Sequence, residues 1–157
     1  MEPKPDKDHA NVIAPPPLIF FGCALAGWLL HFLFPLQVMS GSFSLPIGIA
    51  LACIAGLLAL WAVLVMKISG TNIRPDRPVL RIVTIGPYRF TRNPMYLSLC
   101  LLQLGLGFIL DGWIPLLITI PLALILHFGV ISREEKYLES RFGQEYLMLK
   151  KAVRRWI

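Results

Sequence analysis

Four long runs of apolar residues, each nearly free of charge, leave this chain few folds to choose from. Leu18 to Leu36 is interrupted only by His31 and Pro35, Leu45 to Met66 carries no charge, Met95 to Leu110 is shorter, and Trp113 to Ile131 holds only His127 near its end. A helix needs about 20 residues to cross the hydrocarbon of a bilayer, with about 17 to 25 the usual range. The spacing therefore predicts an all-α membrane protein with about four transmembrane helices, over 18–36, 45–66, 95–110 and 113–131. Composition agrees: 56% of the residues are apolar and 15% charged, whereas a soluble domain carries about 25% charged residues.

The basic residues sit between and after the apolar runs, as membrane-flanking charges do. The formal net charge of +6 and pI near 9.6 are thus assigned to anionic lipid headgroups rather than to nucleic acid. The segment 67–92 contains Lys67, Arg74, Arg77, Arg81, Arg89 and Arg92 against Asp76 alone. The tail contributes Arg133, Lys136, Arg141, Lys150, Lys151, Arg154 and Arg155, and the N-terminal arm Lys4 and Lys7. Neither the loop Pro35 to Ser44 nor Asp111-Gly112 has a Lys or Arg. Four spans return both termini to one side, and the basic residues fall on that side, so both ends and the loop 67–94 are expected in the cytosol. A bacterial inner membrane is the favoured setting. Residues 1–16, with Pro15-Pro16-Pro17 and no small-residue cleavage site after the apolar run, read as a loose cytosolic arm rather than a secretion signal.

Asp111-Gly112 reads as a tight turn that makes the third and fourth spans one antiparallel hairpin, with Gly105 and Gly107 permitting close backbone approach. Cys23, Cys53 and Cys100 lie inside apolar runs without CxxC or zinc spacing and read as packing residues. His31 and His127 come with no metal set, and Gln103 is expected to hydrogen-bond a neighbouring helix. The tail from Arg133 to Lys150 places Leu138, Phe142, Tyr146 and Leu149 at helical spacing. This predicts an amphipathic helix at the membrane surface or over the site, kinked by Gly143.

The hairpin brings its two polar ends together. One is the segment Arg81 to Tyr96, with a Gly86-Pro87 turn and an Asn93-Pro94 corner; the other is Arg133 to Leu138 with Glu134-Glu135. Proline suits the first turn of a helix, so Asn93 is the expected N-cap of the third span, and its dipole end would favour an anion. Two adjacent acids at an apolar boundary require cations. Those are either a ligand's positive group or the local Arg89 or Arg92, and spacing alone leaves both open.

Thr84 to Tyr96, with Gly-Pro-Tyr-Arg and Arg-Asn-Pro-Met-Tyr, followed by Glu134-Glu135 and Phe142-Gly143-Gln144-Glu145-Tyr146, resembles the integral-membrane S-adenosylmethionine methyltransferases. That superfamily includes isoprenylcysteine carboxyl methyltransferases and phospholipid methyltransferases. The likeness covers roughly residues 67–153. It implies S-adenosylmethionine as cofactor, bound by Leu80, Arg81, Ile82, Val83, Tyr88, Asn93, Pro94, Met95, Tyr96, Glu134 and Glu135, with no metal. It also implies a lipophilic methyl acceptor. Arg92 is the candidate catalytic residue, orienting an anionic acceptor or phosphate. Many members have His where Asn93 stands. The prenylcysteine enzymes have a substrate-binding Arg where this chain has Val130, which argues against a prenylcysteine carboxylate. Two further readings stand beside this one: an NADPH enzyme similar to the sterol C14 reductases, and a membrane protein that keeps the fold without turnover.

Overall fold

The structure, a computed structural model, describes residues 10–39, 42–73 and 77–157. Of the residues used to orient the chain, Lys4, Lys7, Arg74 and Asp76 lie outside these. Among the described residues the fold is helical without a strand; a single isolated bridge pairs Gln37 with Gly112. The helices are α1 (Pro16–Leu33), α2 (Ser44–Ile68), α3 (Pro94–Ile109), α4 (Trp113–Phe142) and α5 (Gln144–Ala152). By length and composition α1, α2 and α4 can cross a membrane, and α3 is a shorter apolar helix of 16 residues.

Their surfaces are turned inside out relative to a soluble protein. Phe21 at 65%, Phe32 at 78%, Leu57 at 68% and Phe128 at 66% exposure project outward. Apolar faces of that extent are stable only in contact with lipid. The interior is thin and held by close backbone approach. A Cβ on Gly48 would lie 2.6 Å from the Ile109 nitrogen and 2.7 Å from the Gly105 carbonyl oxygen. The α2–α3 contact therefore exists only with glycine there. Ser44 at the start of α2 donates to the Phe108 carbonyl at 2.6 Å, and Gln103 donates from α3 to the Pro115 carbonyl of α4 at 3.0 Å, the cross-helix bond expected of it.

Several boundaries differ from the sequence expectation. Helix α1 starts at Pro16, because proline is accommodated in a first turn, and ends at Leu33 rather than Leu36. Pro35 disfavours the helical conformation in the residue before it, and Phe34 leaves the helix with φ −132° and ψ 79°. Gly107 does serve the α3–α4 hairpin, where its Cβ would meet Leu116, but Gly105 faces α2. Residues 10–16 are not loose: Ala10 is buried, Ile13 donates its N–H to the Gly129 carbonyl at 3.3 Å, and Arg133 donates to the Asn11 carbonyl at 2.8 Å. The fourth span and the tail helix are not separate elements. Helix α4 passes Ile131 without a break, through a π-helical stretch at Leu126–Ile131, and stops at Gly143 with φ +52°. A π turn shifts the helix face by a fraction of a turn, a device common beside functional sites. Here it directly precedes Glu134 and Glu135.

Candidate active site

The segment Gly86–Arg89 forms a short 3-10 turn that docks on α2. Gly86 adopts φ +60°, and a Cβ there would stand 2.7 Å from the Val65 side chain and 3.2 Å from the Trp61 ring nitrogen. Both the left-handed backbone and the lack of space call for glycine. The turn inserts Tyr88 against Ala62, Val65, Met66, Val83 and Met95. Its hydroxyl is buried without a hydrogen-bond partner among the described residues. Burial pushes the phenol pKa up, and the nearby Glu134 charge adds to this, so Tyr88 is a fixed neutral donor.

Pro94 then opens α3, and the Tyr96 and Leu97 N–H groups bond to the Asn93 carbonyl at 3.1 and 3.0 Å. Asn93 occupies the N-cap position, but its side chain does not cap the helix. Its amide instead donates to the Arg155 carbonyl at 2.9 Å, and its N–H goes to the Thr91 hydroxyl at 3.2 Å. The expected capping role is thus replaced by a tether to the C-terminal segment. One turn into α3, the Tyr96 hydroxyl donates to Glu134 Oε1 at 2.6 Å. This single bond joins positions 38 residues apart and brings the asparagine-proline corner to the twin acids.

The two glutamates have different surroundings. Glu135 is 5% exposed. Arg155 grips it with both prongs of its guanidinium, Nε to Oε1 at 3.0 Å and Nη2 to Oε2 at 2.5 Å. Arg92 Nη1 stands 3.1 Å from Oε1 as a second ion pair. These hydrogen bonds hold the Arg155 guanidinium pKa above its ordinary value. Of the alternatives the sequence left open for the acids, local arginines therefore satisfy Glu135, through Arg92 but with Arg155 in place of Arg89. Glu134 has the Tyr96 hydroxyl as its hydrogen-bond partner and faces the cavity.

That cavity has a volume of about 120 Å³, where one water needs roughly 10–15 Å³. Its wall combines Met66, Ile82, Val83 and Met95 with Arg81, Tyr88, Arg92, Asn93, Tyr96 and both glutamates. Of the residues singled out from sequence, Arg81, Ile82, Val83, Tyr88, Arg92, Asn93, Pro94, Met95, Tyr96, Glu134 and Glu135 all line it. Leu80 does not: its side chain is 54% exposed and its N–H bonds to the Thr71 hydroxyl at 3.0 Å. Leu138, Tyr146 and Leu149 also line the cavity, so the apolar face of the tail covers the site. Burial and the Glu135 charge push the Tyr146 hydroxyl up to about 12, against the opposing effect of Arg92.

Residues 153–156 escape a reading of the sequence altogether. The segment returns to the loop before α3: Arg92 N–H donates to the Arg154 carbonyl at 3.0 Å, and the Thr91 hydroxyl to the Arg155 carbonyl at 3.1 Å. Trp156 Nε1 donates to His127 Nδ1 at 3.1 Å with the two rings stacked, while Arg155 Nη1 lies 2.6 Å from His127 Nε2. No local signal marks these residues, since two arginines after an amphipathic helix look like ordinary flanking charge.

Comparison with known proteins points the same way as the geometry. A family model described as "Phospholipid methyltransferase" matches residues 43–145. An "Uncharacterized protein" of Haemophilus influenzae (strain Rd) is 44% identical over 63 residues, which are 40% of this chain and the whole length of that protein.

Proposed function

The chain belongs to the phospholipid methyltransferase family, and from that premise we propose that it moves a methyl group from S-adenosylmethionine to a lipophilic acceptor at the cytosolic surface of the membrane. The observation that carries this reading is the 2.6 Å bond between Tyr96 and Glu134. It sets a carboxylate and a tyrosine ring side by side in one wall of a cavity that opens between apolar helices and a charged loop.

The residues present fit a donor with an ammonium, a carboxylate and a sulfonium. Glu134, which no arginine among the described residues neutralises, is the group to hold the ammonium. The faces of Tyr88 and Tyr96 suit a cation, and the Tyr88 hydroxyl is a buried donor still without a partner. Arg92 keeps unsatisfied N–H groups at Nε and Nη1 in the same wall and would orient an anionic group of the acceptor or donor. Met66, Ile82, Val83 and Met95 exclude water from the space between these charges, which strengthens each of them. When bound, the sulfonium supplies an already activated methyl group. The protein's task is then chiefly to align two reactants, an effect that can supply much of a barrier reduction. Val130, where the prenylcysteine enzymes resemble one another in having arginine, is 0% exposed in the core beside Phe20, Tyr96 and Cys100. Arg133 is engaged with the N-terminal arm. Neither offers a cation for a prenylcysteine carboxylate, which favours a phospholipid amine or another small lipophile as acceptor.

Titration of the purified protein in detergent with S-adenosylmethionine and, separately, with NADPH tests the reading. We expect binding of the first alone, weakened at least tenfold by Glu134→Ala, the range of a lost charge-assisted hydrogen bond. A wild-type protein that ignores S-adenosylmethionine would overturn it. Incubation of lipid extracts with a labelled methyl donor then identifies the acceptor from the labelled product.

A further inference from the structure

Two arginines meet one carboxylate beside the cavity: Glu135 lies between Arg92 and Arg155, while the adjacent Glu134, whose charge balances the second arginine overall, is turned to the Tyr96 hydroxyl instead. The two arginines do not share the carboxylate equally. Arg155 presents the parallel fork that fits both oxygens, at 3.0 and 2.5 Å, the strongest form of such a pair. Arg92 is left with a single contact to Glu135 at 3.1 Å, a hydrogen-bonding neighbour in Tyr146, and side-chain exposure of 9%. Its Nε and Nη1 hydrogens meet no aligned acceptor among the described residues. Buried guanidinium N–H groups without acceptors are costly, and these belong to a residue that lines the cavity.

Arg155 itself is held from three directions. Its carbonyl accepts from Thr91 and Asn93, its guanidinium touches His127, and the adjacent Trp156 is fastened to the same imidazole. A neutral imidazole has one lone pair to offer and both neighbours are donors, so the anchorage at His127 accepts one of them at a time. The fork on Glu135 is therefore the directed contact of the segment.

We propose that Arg155 is a positioning residue: by occupying both oxygens of Glu135 it limits Arg92 to one unaligned contact with that carboxylate and leaves guanidinium hydrogens of Arg92 for the cavity, as a subsite for a carboxylate or phosphate of a ligand. This rests on the methyl-donor reading for the identity of one possible anion, the donor's own carboxylate; the other source is the phosphate of a phospholipid. Without Arg155, Glu135 turns to Arg92 and the pair closes on itself.

The test compares wild type with Arg155→Leu in detergent, titrating each with S-adenosylmethionine, with its decarboxylated analogue and with a short-chain phosphatidic acid. The expected result is a loss of about tenfold or more for one anion-bearing ligand, with the decarboxylated analogue within about twofold in both proteins. A loss confined to S-adenosylmethionine assigns the subsite to the donor carboxylate, and a loss confined to phosphatidic acid assigns it to the acceptor. Comparing ligands within one variant separates positioning from general damage, which would weaken all three together. Such a uniform loss, or no loss for any ligand, overturns the proposal. Should Arg155→Leu fail to fold, Arg155→Lys keeps the charge but not the fork. An intermediate loss for the anion-bearing ligand is then expected, and wild-type behaviour overturns the proposal. If wild type binds phosphatidic acid but not S-adenosylmethionine, the methyl-donor reading fails while the phosphatidic acid arm still decides the role of Arg155.

Discussion

The two ends of the helical bundle are built on opposite principles. At the end that holds residues 34–39, 42–43 and 110–113, the stretch after α1 is tied to the turn between α3 and α4 by hydrogen bonds to the backbone. Asp111 takes φ +48°, its carbonyl accepts from Val38 N–H at 3.2 Å, and its carboxylate accepts from Met39 N–H at 3.1 Å. Trp113 N–H donates to the Leu36 carbonyl at 2.9 Å. At the other end, Ala10, Met66 and residues drawn from 72–73, 79–96 and 134–149 line a cavity with paired charges and with polar atoms that have no partner among the described residues. The first end spends little sequence and closes the bundle; the second retains unsatisfied groups that weaken it and that a ligand can satisfy. Unpartnered polar atoms in a cavity wall, such as those of Tyr88 and Arg92, mark a candidate site; His31 Nδ1 beside Gly112 at the opposite end is another such atom, but one that lines no cavity with paired charges.

This contrast can be broken by substitution. The largest expected effect is at the cavity end: Glu135→Ala leaves two arginines without their shared carboxylate, a change that costs about 3–5 kcal/mol when a buried pair loses one partner. The thermal unfolding midpoint of the detergent-solubilised protein should fall steeply, and retention of the wild-type midpoint would show that the cluster is solvated. Next is the packing that serves both ends. Gly48→Ala gains about 1 kcal/mol in helix propensity, but it drives a methyl group into backbone atoms of α3 that cannot move aside. Overpacking costs about 1–3 kcal/mol, so a net loss of stability is expected. Binding of S-adenosylmethionine by the folded fraction should stay unchanged, and a matching loss of affinity would mean that the two ends are coupled. The smallest effect is at the surface: Lys150→Ala removes an exposed contact with Glu139, and exposed pairs contribute about 0–1 kcal/mol. Unfolding and binding should both remain near wild type, so a large shift would show that α5 depends on this pair to cover the site.

Much of this architecture is legible from residue order. The hairpin followed from two residues between two apolar runs, and antiparallel geometry then required Asn93 and Glu134 to be neighbours, as the Tyr96 bond bears out. Gly143 announced the break in the tail. Other features depended on contacts that no spacing encodes. Leu80 turns outward while its N–H is held by the Thr71 hydroxyl, a contact nine positions away that no pattern in the sequence marks. Asn93 gives up its cap because a carbonyl from residue 155, 62 positions away, offers a better fit. The π turn at Leu126–Ile131 has no periodic signal of its own.

A bilayer imposes its demands on each stretch of chain separately. Hydrophobic length and proline and glycine positions could thus be read one segment at a time, and they located the apolar helices and the α3–α4 hairpin, though not the continuation of α4 into the tail. Pairing of charge is another matter. Which arginine neutralises which glutamate, and which is left facing the cavity, depends on distances of about 3 Å between groups from distant segments. It was decided when residues 153–156 folded back across the loop before α3, because Coulomb energy and hydrogen-bond alignment depend on position and direction, which one-dimensional order does not contain.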